Sequence, residues 1–208
     1  MKRKQEGWNI VLAGFWNRAI FSLEWVNSNV FQDTELETLL SVLPHFPIVY
    51  QNVQVGIEVS ALRLAVRPRR LDTDCIQRAE VIARTILEKL PETPLKGVGI
   101  NFAYVEEAPD ATLLEVFDLS DDGQLSDGAS TIEERKIARR LRRGDDLLNL
   151  TLTFDGSKVD FGLNYHTDTT DNATARTALT NRVERLQADA AALLATVYHL
   201  VAEEDDNG

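Results

Sequence analysis

One cysteine, Cys75, stands among 208 residues, and a single thiol cannot build an intrachain disulfide framework; such usage fits a reducing compartment. Apolar runs are short. None approaches the roughly twenty residues that cross a bilayer, so neither a membrane span nor a membrane partner is expected, and the chain reads as cytoplasmic. Histidine is scarce too: His45, His166 and His199 are the only three, and with no cysteine pair beside them no metal-ligand spacing arises. Phosphate-cradling glycine loops and nucleophile elbows are also missing. No metal and no cofactor is therefore expected. Positive charge is in deficit, with 22 Lys and Arg against 33 Asp and Glu for a net charge of -11. That balance works against general attraction to phosphate backbones or anionic lipid, so a nucleic-acid partner would need a local basic patch.

What is present is patterning. Leu148, Leu150, Leu152 and Phe154 alternate with Asn149, Thr151 and Thr153; then, beyond Asp155-Gly156, Val159, Phe161, Leu163 and Tyr165 alternate with Asp160, Gly162 and Asn164. Period-two alternation on both sides of a turn signal predicts an antiparallel hairpin with one dry and one wet face. At the other end, Met1-Lys2-Arg3-Lys4 followed by Ile10–Trp16 imitates a signal sequence. Gln5, Glu6 and Asn9 dilute the approach and Asn17-Arg18 interrupts the run, so Trp8–Phe15 reads as a first strand. Ala19–Val30 reads as a short helix or an irregular segment. Further strands are expected over Ile48–Val59, with Gly56 marking a bulge, and over Leu62–Arg67 and Val98–Glu106.

Helices have their own marks. Thr34-Glu35-Leu36-Glu37 forms a capping box ahead of Leu36, Leu39, Leu40 and Leu43, with Pro44 as the stop. Asp72 caps a helix over Thr73–Leu90, whose Ile76, Ala79, Ala83, Ile86 and Leu90 share a face. Ala111–Leu119 reads as a short helix and 118–130 as a polar loop. A second capping box, Ser130-Thr131-Ile132-Glu133, predicts a basic helix to Arg143, ended by Gly144. From Thr170 or Asp171 onward, Leu179, Val183, Leu186, Ala190, Leu193, Val197 and Leu200 recur at steps of four and three. One helix over 173–202 would be about 45 Å long, overhanging a strand of roughly 20 Å.

The fold class that follows is α+β: a single domain over residues 1–202 with a largely antiparallel, or mixed, sheet, a C-terminal β-hairpin and a long C-terminal helix packed on it. Residues 203–208 are expected to form a disordered acidic tail.

Candidate chemistry is thin. Asp118-Leu119-Ser120-Asp121-Asp122-Gly123 imitates a calcium loop, but its twelfth position is Ala129 where a bidentate glutamate is needed. Gly144-Asp145-Asp146 resembles paired metal-binding aspartates and reads as a helix stop. His166 and Asp168 could orient an imidazole as a base, although a surface turn is the plainer reading. Cys75, in the first turn of a helix, could favour its thiolate or simply be buried. Arg135, Lys136, Arg139, Arg140, Arg142 and Arg143 form a basic patch that either meets nucleic acid or is neutralised by neighbouring aspartates, and Arg67, Arg69 and Arg70 form a smaller one. Trp16, Phe21 and Trp25, together with Leu194, Tyr198 and Val201 on the overhanging helix end, are candidates for docking a second chain, self or heterologous.

The run Glu92–Phe102, with the final hairpin and helix, resembles a bacterial family of proteins to which it attaches no activity. The expected function is accordingly a non-catalytic interaction protein: an accessory, scaffold or chaperone-like subunit of a bacterial multi-component system. The alternatives are a nucleic-acid-associated protein using the basic segment 132–143, and an enzyme with a site near His166 and Asp168.

Overall fold

The computed structural model describes residues 1–32, 35–39, 46–126, 128, 130–144, 146–169 and 171–203. Ten strands are present among the described residues: β1 (Lys2–Arg3), β2 (Asn9–Gly14), β3 (Glu37–Leu39), β4 (Ile48–Gln51), β5 (Val55–Val59), β6 (Arg63–Pro68), β7 (Leu95–Glu106), β8 (Arg135–Arg143), β9 (Asp146–Phe154) and β10 (Val159–Asp168). They form one sheet in the order β3-β4-β5-β6-β2-β7-β10-β9-β8, with β1 added on β7, and every pair is antiparallel. The helices are α1 (Leu23–Val26), α2 (Thr73–Lys89), α3 (Ala111–Leu114), α4 (Asp122–Leu125), α5 (Asn172–Leu179) and α6 (Arg182–Tyr198). The fold class is α+β, as the patterning predicts, with the hairpin β9–β10 and the C-terminal helices against the sheet.

Local chemistry explains the main elements. At the hairpin turn the Asp155 carboxylate accepts the amides of Ser157 (3.1 Å) and Lys158 (3.0 Å), while Gly156 takes a φ of 89° that side chains disfavour. Asp72 caps α2 through the Cys75 amide at 2.8 Å. Because β2 lies between β6 and β7 and is antiparallel to both, β6-α2-β7 is a crossover split by a central strand. Alternation then sorts the sheet into two faces. Ile10 and Leu12, Leu64 and Val66, Ile100 and Phe102, Leu150 and Leu152, and Phe161 and Leu163 face a core shared with Ile82, Ala83, Ile86, Leu186 and Leu194 of the helices. The residues between them form a second face that no α-helix covers among the described residues, only the short 3-10 turn Gln5–Gly7 lying against Ala103.

Four expectations are corrected. The segment 135–143 is strand β8 and not a helix: Ile137 and Leu141 are four apart, a spacing that fits one helical turn and equally two strand repeats, and the otherwise unpaired edge of β9 takes the segment up. The single terminal helix is two, α5 and α6, broken at Asn181, whose φ of 52° is left-handed; asparagine tolerates that conformation. Ile48–Val59 is two strands, because the Asn52 side chain accepts the amides of Gln54 (2.9 Å) and Val55 (2.8 Å) and turns the chain; Gly56 pairs in regular register, and the irregularity lies at Ala13/Gly14. Glu37–Leu39, expected as helix, is an edge strand on β4. Thr34, Leu40, Leu43, Pro44, His45, Ala129, Asp145, Thr170 and the tail 204–208 lie outside the described residues. Among the described residues no helix is long and apolar enough to cross a membrane.

Candidate binding face

Register across the uncovered face builds its most ordered feature. Asn9 lies opposite Asn101, Asn101 opposite Asn164, and Asn164 opposite Asn149, so four strands from distant parts of the chain present one amide each in a single row. The amides are joined: Asn101 Nδ2 donates to Asn9 Oδ1 at 2.9 Å, Asn164 Nδ2 to Asn101 Oδ1 at 2.7 Å, and Asn149 Nδ2 to Asn164 Oδ1 at 2.9 Å. Neighbouring strands are about 4.8 Å apart, close enough for amides to bridge directly. Each interior amide has two N–H groups and two lone pairs in all, and Asn101 Nδ2 also reaches the Asn9 carbonyl at 3.5 Å.

The rows beside this ladder are small. Ala138, Thr151, Gly162 and Ala103 lie opposite one another in turn, and Gly7 closes the row so tightly that a Cβ there would stand 2.1 Å from that of Ala103. On the other side a Cβ on Gly99 would meet Asn164 Nδ2 at 2.9 Å, so the glycine lets that amide lie across the sheet. The result is a shallow trough of about 540 Å³ reaching from Gly7 and Asn9 to His166 and Asn149.

Strand β8 borders this face with two sorts of cation. Its odd positions point toward the helices, where Arg135 pairs with Asp122 (2.8 Å), Arg139 donates to the Tyr198 hydroxyl (2.9 Å) and Arg143 pairs with Asp189 (2.6 Å). Its even positions, Lys136, Arg140 and Arg142, are exposed on the open side with no ion-pair partner among the described residues. Arg140 stands opposite Asn149 and so extends the amide row. Two of the six cations are thus neutralised by carboxylates, Arg139 is held by a neutral hydroxyl, and the other three have no ion-pair partner among the described residues. In the smaller patch Arg67 pairs with Glu58 (2.5 Å) and Arg70 with Asp72 (2.8 Å), which holds the Asp72 carboxyl down at about 2.

The other candidates fare differently. Asp168 meets His166 Nε2 at 2.9 Å on the surface, Asp168 being 88% exposed, and the residues lining the adjoining trough include no serine or cysteine to serve as a nucleophile. Asp122 of the calcium-like segment is engaged by Arg135 inside the start of α4. Asp146 is buried against Arg182 and Arg185, far from a solvated metal ligand in character. Among the described residues no group of three or more His, Cys, Asp or Glu could hold a metal ion. Cys75 is buried, and burial pushes its thiol up, away from the reactive thiolate. Trp16, Phe21, Leu194 and Tyr198 are buried in the chain's own core, which removes them from an exposed docking surface; Trp25 is half-buried and stacks edge-on to Phe21 at 5.3 Å, and Val201 is exposed. The break at Asn181 and the burial of Leu194 remove the premise of an overhanging helix end.

The amide row went unseen in the sequence. Its one legible part is the hairpin, whose register, once Phe154 faces Val159, necessarily sets Asn149 opposite Asn164. The chain matches no protein-family model and no curated protein.

Proposed function

We propose that the protein is a non-catalytic, cytoplasmic interaction subunit that holds an acidic segment of a different polypeptide along β8 and the adjoining open face. The observation that carries this reading is the division of charge on β8: Arg135, Arg139 and Arg143 are engaged within the fold, whereas Lys136, Arg140 and Arg142 have no ion-pair partner among the described residues, on a chain of net charge -11. Unpaired like charges side by side cost stability unless a partner of opposite sign answers them. A nucleic acid would answer the charge as well, but the trough is lined by amides and small side chains, and its one aromatic group besides His166 is Phe102, whose ring is buried on the core side. Base stacking, the usual source of single-strand affinity, therefore has no platform there.

The test is direct binding at low salt of a glutamate-rich peptide and of single- and double-stranded oligonucleotides, to the wild type and to the triple variant Lys136→Glu, Arg140→Glu, Arg142→Glu. Peptide binding that the triple variant loses is the expected result. Oligonucleotides binding more tightly than the peptide would replace this reading with the nucleic-acid one, and no binding of either would remove it.

A further inference from the structure

The geometry points to β-strand addition as the mode of recognition: a partner segment pairs with the free edge of β8 and extends the sheet by one strand, carrying acidic residues on the open side and apolar residues on the helix side. This rests on the acidic-polypeptide reading above and specifies the form of the bound segment. Three observations support it. Strand β8 ends the sheet order, and its nine residues pair with β9 alone among the described residues, so one edge of the strand presents unpaired backbone N–H and C=O groups. Its two faces differ in a way that a strand can read. Lys136, Arg140 and Arg142 project to the open side, whereas Ile137 and Leu141 are half-buried against the core on the other, with Arg139 between them tied to Tyr198. A paired strand places its side chains opposite these in turn, so it would alternate carboxylates with apolar groups.

The third observation concerns what the edge rejects. A second copy pairing antiparallel through β8, in the register centred on Arg139, would set Lys136 opposite Arg142 and Arg139 opposite its own copy. Directly opposed like charges are destabilising, so the arrangement works against self-association. The edge is selective by sign, and the occupant is a different, acidic strand and not another copy of this chain.

The probe is a nine-residue peptide alternating glutamate with valine, compared with three controls: alternating lysine and valine, a scrambled peptide of the same composition, and the alternating peptide N-methylated at every second residue. Methylation removes backbone donors while keeping the charge. We expect the alternating acidic peptide to bind wild-type protein, to lose about tenfold or more in affinity on scrambling or on methylation of the paired edge, and to protect backbone amides of β8 from hydrogen exchange. If the methylated and scrambled peptides bind as well as the parent, strand addition is wrong while an electrostatic acidic partner survives. Should no acidic peptide bind while the wild type remains folded by circular dichroism, both readings fall. A wild-type protein that dimerises through β8, seen as concentration-dependent protection of that strand without peptide, would overturn the sign-selection argument.

Discussion

Glu80, midway along α2, accepts a 2.8 Å hydrogen bond from the backbone amide of Asn181, and the same carboxylate takes the amides of Arg182 and Val183, each at 3.0 Å. A buried acid on one helix thus caps the start of another, doing what a residue at Asn181 with a left-handed backbone cannot do for itself. Replacing Glu80 with alanine would leave three backbone donors, one of them buried, without this acceptor, and we expect a loss of about 2–3 kcal/mol in denaturant unfolding with an unchanged slope. Glu80→Gln, which keeps one acceptor oxygen, should lose about half as much. Equal stability of Glu80→Ala and wild type would mean that water caps α6 unaided.

Asp146 and Arg182 make a second connection that the interior cannot easily do without. Their side chains are 9% and 13% exposed, and Arg182 also donates to the Ala178 carbonyl (3.0 Å) and to Thr167 Oγ1 (2.9 Å). Asp146→Ala strands a guanidinium in a poorly solvated place, and a cost of about 3–5 kcal/mol is expected. Removing both charges together, Asp146→Leu with Arg182→Met, should cost much less than the sum of the single changes. A double-mutant cycle with no coupling would show that Arg185, 3.4 Å from Asp146, or solvent carries the load instead.

These two contacts show where a linear sequence stops speaking. The hairpin is legible because alternation and a turn signal sit side by side, and α2 because Asp72 and an apolar stripe agree with one another. Glu80 left a trace, a charge at the spacing of Ile76 and Ala83 on the apolar face, but its partner lies about a hundred residues away. The sequence of β8 fits a helix because Ile137 and Leu141 satisfy both periods, and only the presence of β9 beside it decides the matter. At Asn181 the apolar spacing runs on from Leu179 to Val183 without a fault, so the break between α5 and α6 is written in backbone conformation and not in pattern. The amide row needs the register of four strands, which no local signal contains.

All four tyrosines have phenols held above their ordinary range. Burial raises Tyr50 and lifts Tyr104 to about 12; burial and then the hydrogen bond to Asp189 raise Tyr165, and burial outweighs Arg139 at Tyr198. A group whose folded-state value is raised contributes stability below its unfolded value, and that contribution is lost as pH rises through the folded one. Stability should therefore hold up to about pH 10 and fall between there and about pH 12. Phenolate absorbance should stay low near pH 10 in the native protein and appear together with loss of tertiary circular dichroism. Four independent ionisations near pH 10 without unfolding would contradict the packing described for these rings.

Gly7 and Ala103 offer the sharpest test of the open face, because the segment bearing the glycine has no room to withdraw. The Ala103 carbonyl accepts both the Lys4 amide at 2.9 Å and the Trp8 indole at 3.0 Å, which clamps the turn Gln5–Gly7 against β7 while a Cβ on Gly7 would sit 2.1 Å from that of Ala103. Gly7→Ala must either break that clamp or push β7 aside, and we expect it to cost about 1–3 kcal/mol. Asn9, two residues on, would be drawn away from Asn101, so the amide resonances of the row should shift as well. Ala103→Gly alone should cost under about 1 kcal/mol as a glycine in a strand, yet combined with Gly7→Ala it restores the space and should recover most of the loss. A double variant no more stable than Gly7→Ala would mean that the glycine is needed for its backbone and not for the close approach, and the trough beside the amide row would then owe its shape to something other than this contact.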